Sequence, residues 1–291
     1  YYPYYSSNAQ SFSEVVLPKI TDGNQNITVP PTEIYYSNTT DKFETYTPIV
    51  SINLQNDHEE PVHKTFLIGS GSNTYVSQNN IYLTYSTYAY WNTGTANQQT
   101  YIHRIHIENG QIEGNFTSGE VPGYVLNQFS MDEYNSYFRI ATTIGEVWAT
   151  GASASRNNVY VLDMELNTAG MLEDLAPGEK IYSARFMGNR CYLVTFKKID
   201  PLFVIDLTSP ANPVVLGQLK ITGYSDYLHP YDENHIIGIG KETIEAEGGN
   251  FAWYQGIKIS LFDVSDVAVP KEIAKYIIGD RGTDSPILND H

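Results

Sequence analysis

Two segments of this chain nearly rhyme. Phe203-Val204-Ile205-Asp206-Leu207-Thr208-Ser209-Pro210 is soon followed by VVLGQLKITG, and Ser260-Leu261-Phe262-Asp263-Val264-Ser265-Asp266 by KEIAKYIIGD. Each is an alternating strand ending in Asp, a polar turn, and a second alternating strand. Asp263 lies 57 residues after Asp206, and a third copy, Val159-Tyr160-Val161-Leu162-Asp163, ends 43 residues before it. Residues 101–107 and 49–54 are more diverged copies. Ahead of each of the later four sits another hairpin: TYVSQNNIYLTYS, FSMDEYNSYFRIATT, YSARFMGNRCYLVTF and DYLHPYDENHIIGIG. Apolar, β-branched runs flank a polar turn in each.

The unit is therefore two hairpins, four antiparallel strands, recurring every 43–57 residues. That period and strand count are those of a propeller blade. Solenoid helices would need a 3.6-residue periodicity that no long segment carries. The fold class expected is all-β, a segment of a β-propeller. Full blades fall at 73–121, 122–179, 180–223 and 224–280, with a half blade at 46–72 and the start of another at 281–291. Closed propellers have about 4–8 blades, so these ragged ends predict an arc of a larger ring. Residues 1–45, rich in Tyr, Pro, Ser and Asn, read as an irregular insertion of the first partial blade.

Charge and composition narrow the function. Against 33 Asp and Glu stand 17 Lys and Arg, a net charge of −16. Such a surface repels a phosphate backbone or an anionic membrane, so nucleic acid is excluded as a partner. No run reaches the roughly 18 apolar residues of a membrane-spanning helix, and membrane insertion of this segment is not expected. No signal peptide begins at Tyr1, so the start has been removed or the chain is internal. A single cysteine, Cys191, cannot close an internal disulfide and reads as a buried, inert thiol. The 24 tyrosines argue against disorder.

Several stretches resemble a known family. They are Asn127-Gln128-Phe129-Ser130-Met131-Asp132-Glu133-Tyr134, Leu175-Ala176-Pro177-Gly178-Glu179, Asp200-Pro201-Leu202-Phe203-Val204-Ile205-Asp206, Tyr227-Leu228-His229-Pro230 and Asn234-His235-Ile236-Ile237-Gly238-Ile239-Gly240. Together with Leu261-Phe262-Asp263 they resemble secreted archaeal and bacterial proteins with a C-terminal β-propeller domain, distantly related to WD-type repeats. The resemblance covers residues 46–291. It implies the propeller fold and a secreted, extracellular or cell-surface location. It carries over no catalytic residue.

In antiparallel blades the second-to-third loops share one edge with the blade-to-blade connections. Three of these loops are long, at 86–99, 144–157 and 241–255, and they hold all three tryptophans, Trp91, Trp148 and Trp253. Tyr88 and Tyr90 flank Trp91, and Phe251 and Tyr254 flank Trp253. These seven residues are the candidate binding face for a carbohydrate, peptide or protein. The competing reading is that the rings plug gaps between blades.

Other candidates are weaker. His103 and His106 are three apart on a strand and point to opposite faces. His229 and His235 straddle a turn but lack further zinc ligands. Asp22, Asn24, Asn26 and Glu33 have calcium-loop spacing, but Ile27 replaces the required Gly. No nucleophile, metalloprotease or phosphate-loop motif is present. Acidic pairs such as Glu165/Glu173 and Glu242/Glu245 read as solvated faces. The expectation is a binding scaffold with no cofactor and no metal. The alternative is an extracellular propeller enzyme, a glycoside hydrolase, lyase or peptidase, with carboxylates at the central channel.

Overall fold

The computed structural model describes residues 16–22, 25–36, 44–56, 58–69, 71, 73–87, 98–196, 200–246 and 252–288. The chain divides into two compact units, Tyr1–Ser70 with Glu108–Asn115, and Gly71–Ile107 with Phe116–His291.

In the first unit, β1 (Lys19–Asp22) and β2 (Gln25–Thr28) form an antiparallel hairpin. β3 (Ile34–Tyr36), β4 (Glu44–Ser51) and β5 (Val62–Gly69) form a sheet in the order β3-β5-β4, with β3 parallel to β5. Among the described residues, 1–45 thus contain β1, β2, β3 and the start of β4, where irregular chain was expected. The short Ile34-Tyr35-Tyr36 run pairs on the β5 edge, and the Tyr35 ring packs 5.7 Å from that of buried Phe66.

Four four-stranded sheets, each in sequence order, follow along the chain, the last three wholly within the second unit. The first comprises β6 (Asn73–Val76), β7 (Asn80–Thr87), β8 (Gln99–Glu108) and β9 (Gln111–Pro122). The second comprises β10 (Met131–Tyr134), β11 (Tyr137–Ile144), β12 (Arg156–Leu162) and β13 (Thr168–Leu175). The third comprises β14 (Lys180–Met187), β15 (Arg190–Phe196), β16 (Asp200–Asp206) and β17 (Val214–Ile221). The fourth comprises β18 (Tyr224–Pro230), β19 (His235–Glu245), β20 (Ala252–Asp263) and β21 (Lys271–Ile278).

Period-2 alternation explains why the middle strands carry apolar residues on both faces. Val159, Val161, Cys191, Leu193, Phe203 and Ile205 fill the core between the second and third sheets. Their neighbours Tyr192, Val194, Leu202 and Val204 face the fourth sheet, where they meet Leu228, Ile236 and Phe262. Tyr160 and Leu162 likewise turn toward Tyr82 and Ile102 of the first sheet. A strand buried on both sides needs apolar residues at odd and even positions alike.

Three devices repeat or tie the sheets together. The Asp that closes the third strand caps the turn that follows it. Asp163, Asp206 and Asp263 accept backbone N–H bonds from Glu165, Thr208 and Ser265, each at 2.9 Å. Each turn then rests on the outer strand of the preceding sheet at a glycine. A Cβ on Gly170 would lie 2.2 Å from the Pro210 carbonyl oxygen, and one on Gly217 would lie 2.2 Å from that of Val267. Finally, Ser77 Oγ, Asn80 Nδ2 and Tyr82 Oη of the first sheet all donate to Glu133 Oε2 of the second, at 2.7, 2.9 and 2.7 Å.

Two expectations change. Residues 241–255 are mostly hairpin, because Thr243 and Ile244 pair with Tyr254 and Trp253 and extend the ladder. Glu242 is buried rather than solvated. Burial would raise its carboxyl, but hydrogen bonds from Thr222 and Thr243 and the Lys258 and Lys275 ammonium groups hold it below the ordinary value.

Candidate functional site

The expected aromatic face falls partly outside the described residues, as Trp91, Tyr88, Tyr90 and Phe251 do. Trp148 stands in the β11–β12 connection and is 77% exposed. Trp253 and Tyr254 are neighbours at the start of β20, 43% and 44% exposed. All three sit at the edge formed by second-to-third and sheet-to-sheet connections. Trp253 and Tyr254 point to opposite sides of their strand, so they are not one platform. Trp253 lies under the Arg281 guanidinium, 4.3 Å from ring centroid to carbon. Tyr254 packs on Tyr224, with centroids 5.4 Å apart.

Tyr254 joins an aromatic cluster that bridges the third and fourth sheets. Tyr182 is 4.7 Å from Tyr224 and 5.4 Å from Phe196, and Phe196 is 4.9 Å from Tyr224. Lys180 Nζ sits 5.1 Å over the Tyr182 ring. β-Bulges place the key residues. The ladder skips one residue between Ile181 and Ser183, and one between Ser225 and Tyr227. The extra residues, Tyr182 and Asp226, occupy equivalent positions and are re-aimed by the bulge.

Asp226 is the most perturbed carboxyl on this edge. Burial pushes it up to about 7, against the pull of Lys241 and Lys180, and Asp284 pushes it further. Asp284 is itself held by Lys241, Nζ to Oδ1 3.4 Å. Sequence reasoning passed over Tyr182, Phe196, Tyr224 and Asp226. A bulge shifts facing by one residue and leaves no mark in the hydropathy pattern.

A second feature lies on the first strands. A cavity of about 600 Å³ is walled by Thr74, Tyr75 and Val76 of β6, by Gln128 and Phe129 of the 3-10 turn Gln128–Ser130, by Met131 and Asp132 of β10, and by Arg185 and Phe186 of β14. The repeat accounts for this meeting. Tyr75, Asp132 and Arg185 pair with Tyr82, Arg139 and Tyr192, which hold the same place in successive second strands. His229, paired with Ile237, is the counterpart in the fourth sheet. Aligning the hairpins by their turns would have revealed one chemically distinct residue per sheet at that position.

Of the lining residues only Asp132 is a carboxylate. Arg139, 3% exposed, donates to it through Nε at 2.9 Å and through a second guanidinium nitrogen. Arg139 is itself gripped by the Tyr134 and Phe186 rings. The neighbouring acid, Glu133, is committed to Ser77, Asn80 and Tyr82.

The histidines take separate partners. His103 Nδ1 lies 2.8 Å from Ser118 Oγ, His106 meets Asn80, and His235 meets Asp232. His229 Nδ1 is 3.2 Å from the Tyr227 hydroxyl. Among the described residues no group of three or more His, Cys, Asp or Glu converges as a metal ligand set. Among them too, no helix is long and apolar enough to cross a membrane. Cys191 is fully buried, and burial pushes its thiol up to about 12.

Two relatives are uncharacterized archaeal proteins. One, from Methanocaldococcus jannaschii, is 49% identical over 179 residues, 62% of this chain and 26% of that protein. The other, from Archaeoglobus fulgidus, is 39% identical over 205 residues, 70% of this chain and 30% of that protein. This chain thus spans less than a third of the length of either relative. A crystal structure of cobalt-substituted Synechocystis ACO aligns with a TM-score of 0.39 and 8% identity, over 82% of this chain and 59% of that one. A likeness that slight carries no argument. A family model described as a beta propeller domain matches residues 2–291, and the four successive four-stranded sheets agree with it. The chain belongs to the β-propeller domain family.

Proposed function

We propose that this chain is a binding module of an extracellular or cell-surface protein. Its ligand, a carbohydrate, peptide or protein, engages the edge that carries Trp148, Trp253 and Tyr254. The observation behind this reading is the exposure of Trp148 and Trp253 on corresponding edges of two sheets, at 77% and 43%. Large rings held open to water are the residue types that anchor interfaces. A rigid sheet scaffold beneath them supports recognition without ordering cost. The test is a glycan and peptide array on the full chain, repeated with Trp148→Ala and Trp253→Ala. Each substitution should lower the signal about tenfold or more, a typical hot-spot loss. Unchanged signal in both variants overturns the reading.

A second reading, an extracellular hydrolase or lyase, has one observation in its favour. Asp226, raised to about 7, feels the Asp284 carboxyl on the same edge, which Lys241 holds at 3.4 Å. A carboxyl raised toward neutrality with a second carboxyl nearby is a pattern that acid catalysis uses. Loss of turnover on a chromogenic glycoside panel in Asp226→Asn would support it. No turnover by the unmodified chain would remove it.

A further inference from the structure

We propose that the cavity between β6, β10 and β14 binds a small organic acid, its carboxylate held by Arg185 and its apolar tail by Val76, Met131 and Phe186. The cavity, about 600 Å³ and open to solvent, has room for a small molecule. It stands apart from the aromatic edge and does not depend on that reading.

Charge carries the argument. The chain has sixteen more acidic than basic residues, so a basic side chain has many carboxylates to choose from. Lys258 takes Glu272 at 2.8 Å, Lys275 takes Glu242 at 3.2 Å, Arg156 takes Asp174 at 3.2 Å and Lys241 takes Asp284 at 3.4 Å. Among the described residues Arg185, like Lys180, Arg190 and Arg281, has no carboxylate partner, and of these four it alone lines the cavity. Its guanidinium carbon lies 5.2 Å from the Phe129 ring centroid instead. The one acid in the wall, Asp132, is already matched by Arg139. Among the described residues, the wall of this cavity therefore carries one positive charge with no carboxylate paired to it.

Geometry narrows the ligand. A guanidinium over a ring face spends no N–H donor on that contact, which leaves its fork for a bidentate carboxylate. A dianionic phosphate would meet a single cation and the nearby Asp132, so a monoanion fits better. Val76, though apolar, is 56% exposed, and Phe186 lines the same space. Together with Met131 they give a hydrocarbon tail a place to leave water.

Calorimetric titration of the full chain with hexanoate, hexanamide and hexyl phosphate tests this. Hexanoate should bind saturably at one site, with hexanamide at least about tenfold weaker because it lacks the charge. Arg185→Gln should weaken hexanoate by about tenfold or more, and Arg185→Lys by less. Val76→Trp fills the cavity with Arg185 intact and should also abolish binding, which guards against a folding defect in the arginine variants. Trp253→Ala should leave hexanoate binding unchanged. The proposal is overturned if hexanoate does not bind, if hexanamide or hexyl phosphate binds as well or better, or if both Arg185→Gln and Val76→Trp bind normally.

Discussion

Two residues keep unusual protonation states, with opposite consequences for stability. Asp226 holds its proton up to about pH 7 in the folded chain, against an unfolded value of 3.8. The folded state thus binds more protons across that window, and stability falls as pH rises from about 4 to 7. Asp226→Asn should leave stability near unchanged at pH 4 and raise it at pH 8 by about 1 kcal/mol or more, read by urea unfolding. His103 behaves in reverse. It is 1% exposed, and burial lowers it from 6.5 to about 4. The unfolded state binds the extra proton, so this contribution is whole above pH 6.5 and is lost as pH falls toward 4. Its size is about 3 kcal/mol for a shift of that extent. The slope of unfolding free energy against pH over 4–6.5 should be shallower in His103→Phe by up to about one proton. Neither residue was singled out for titration by sequence, since burial of one strand position depends on what packs over it. The opposed facing of His103 and His106 was legible, because alternation fixes it.

Among the elements, the strands and their pairing were readable and their irregularities were not. The recurring Asp turn and the apolar middle strands follow from composition at fixed spacing. The bulges at Tyr182 and Asp226 do not, and they place the aromatic cluster. The Glu242 region misread as loop shows the same limit, since a polar strand end pairs as well as an apolar one. The glycines of the outer strands were visible in the repeats, but their purpose depends on the neighbouring sheet. Gly217→Ala would drive a methyl group into the Val267 carbonyl, which is backbone and cannot swing aside. It should cost about 2–3 kcal/mol, as overpacking against fixed atoms does. Gly71→Ala, where a Cβ would meet nothing within 4 Å, is the control and should fall within about 0.5 kcal/mol of the parent. Chemical denaturation of both variants decides it.

For the second unit as a whole, stability is shared between successive sheets, each core lying between two of them. Such an arrangement is held by nearest-neighbour contacts, and partial opening at one boundary is then an available event. Cys191 sits inside one boundary, on the third sheet facing the second. It is the single cysteine of the chain, fully buried and with its thiol held far from ionisation. A thiol reagent can reach it only when those two sheets part. The rate of its modification is therefore a built-in record of how often that boundary opens, with no label to introduce. In native buffer the reaction should run at least about a thousandfold slower than in unfolding denaturant. If low denaturant speeds it before global unfolding begins, the boundary opens by itself. If modification tracks global unfolding alone, the second and third sheets come apart only when the rest of the unit does.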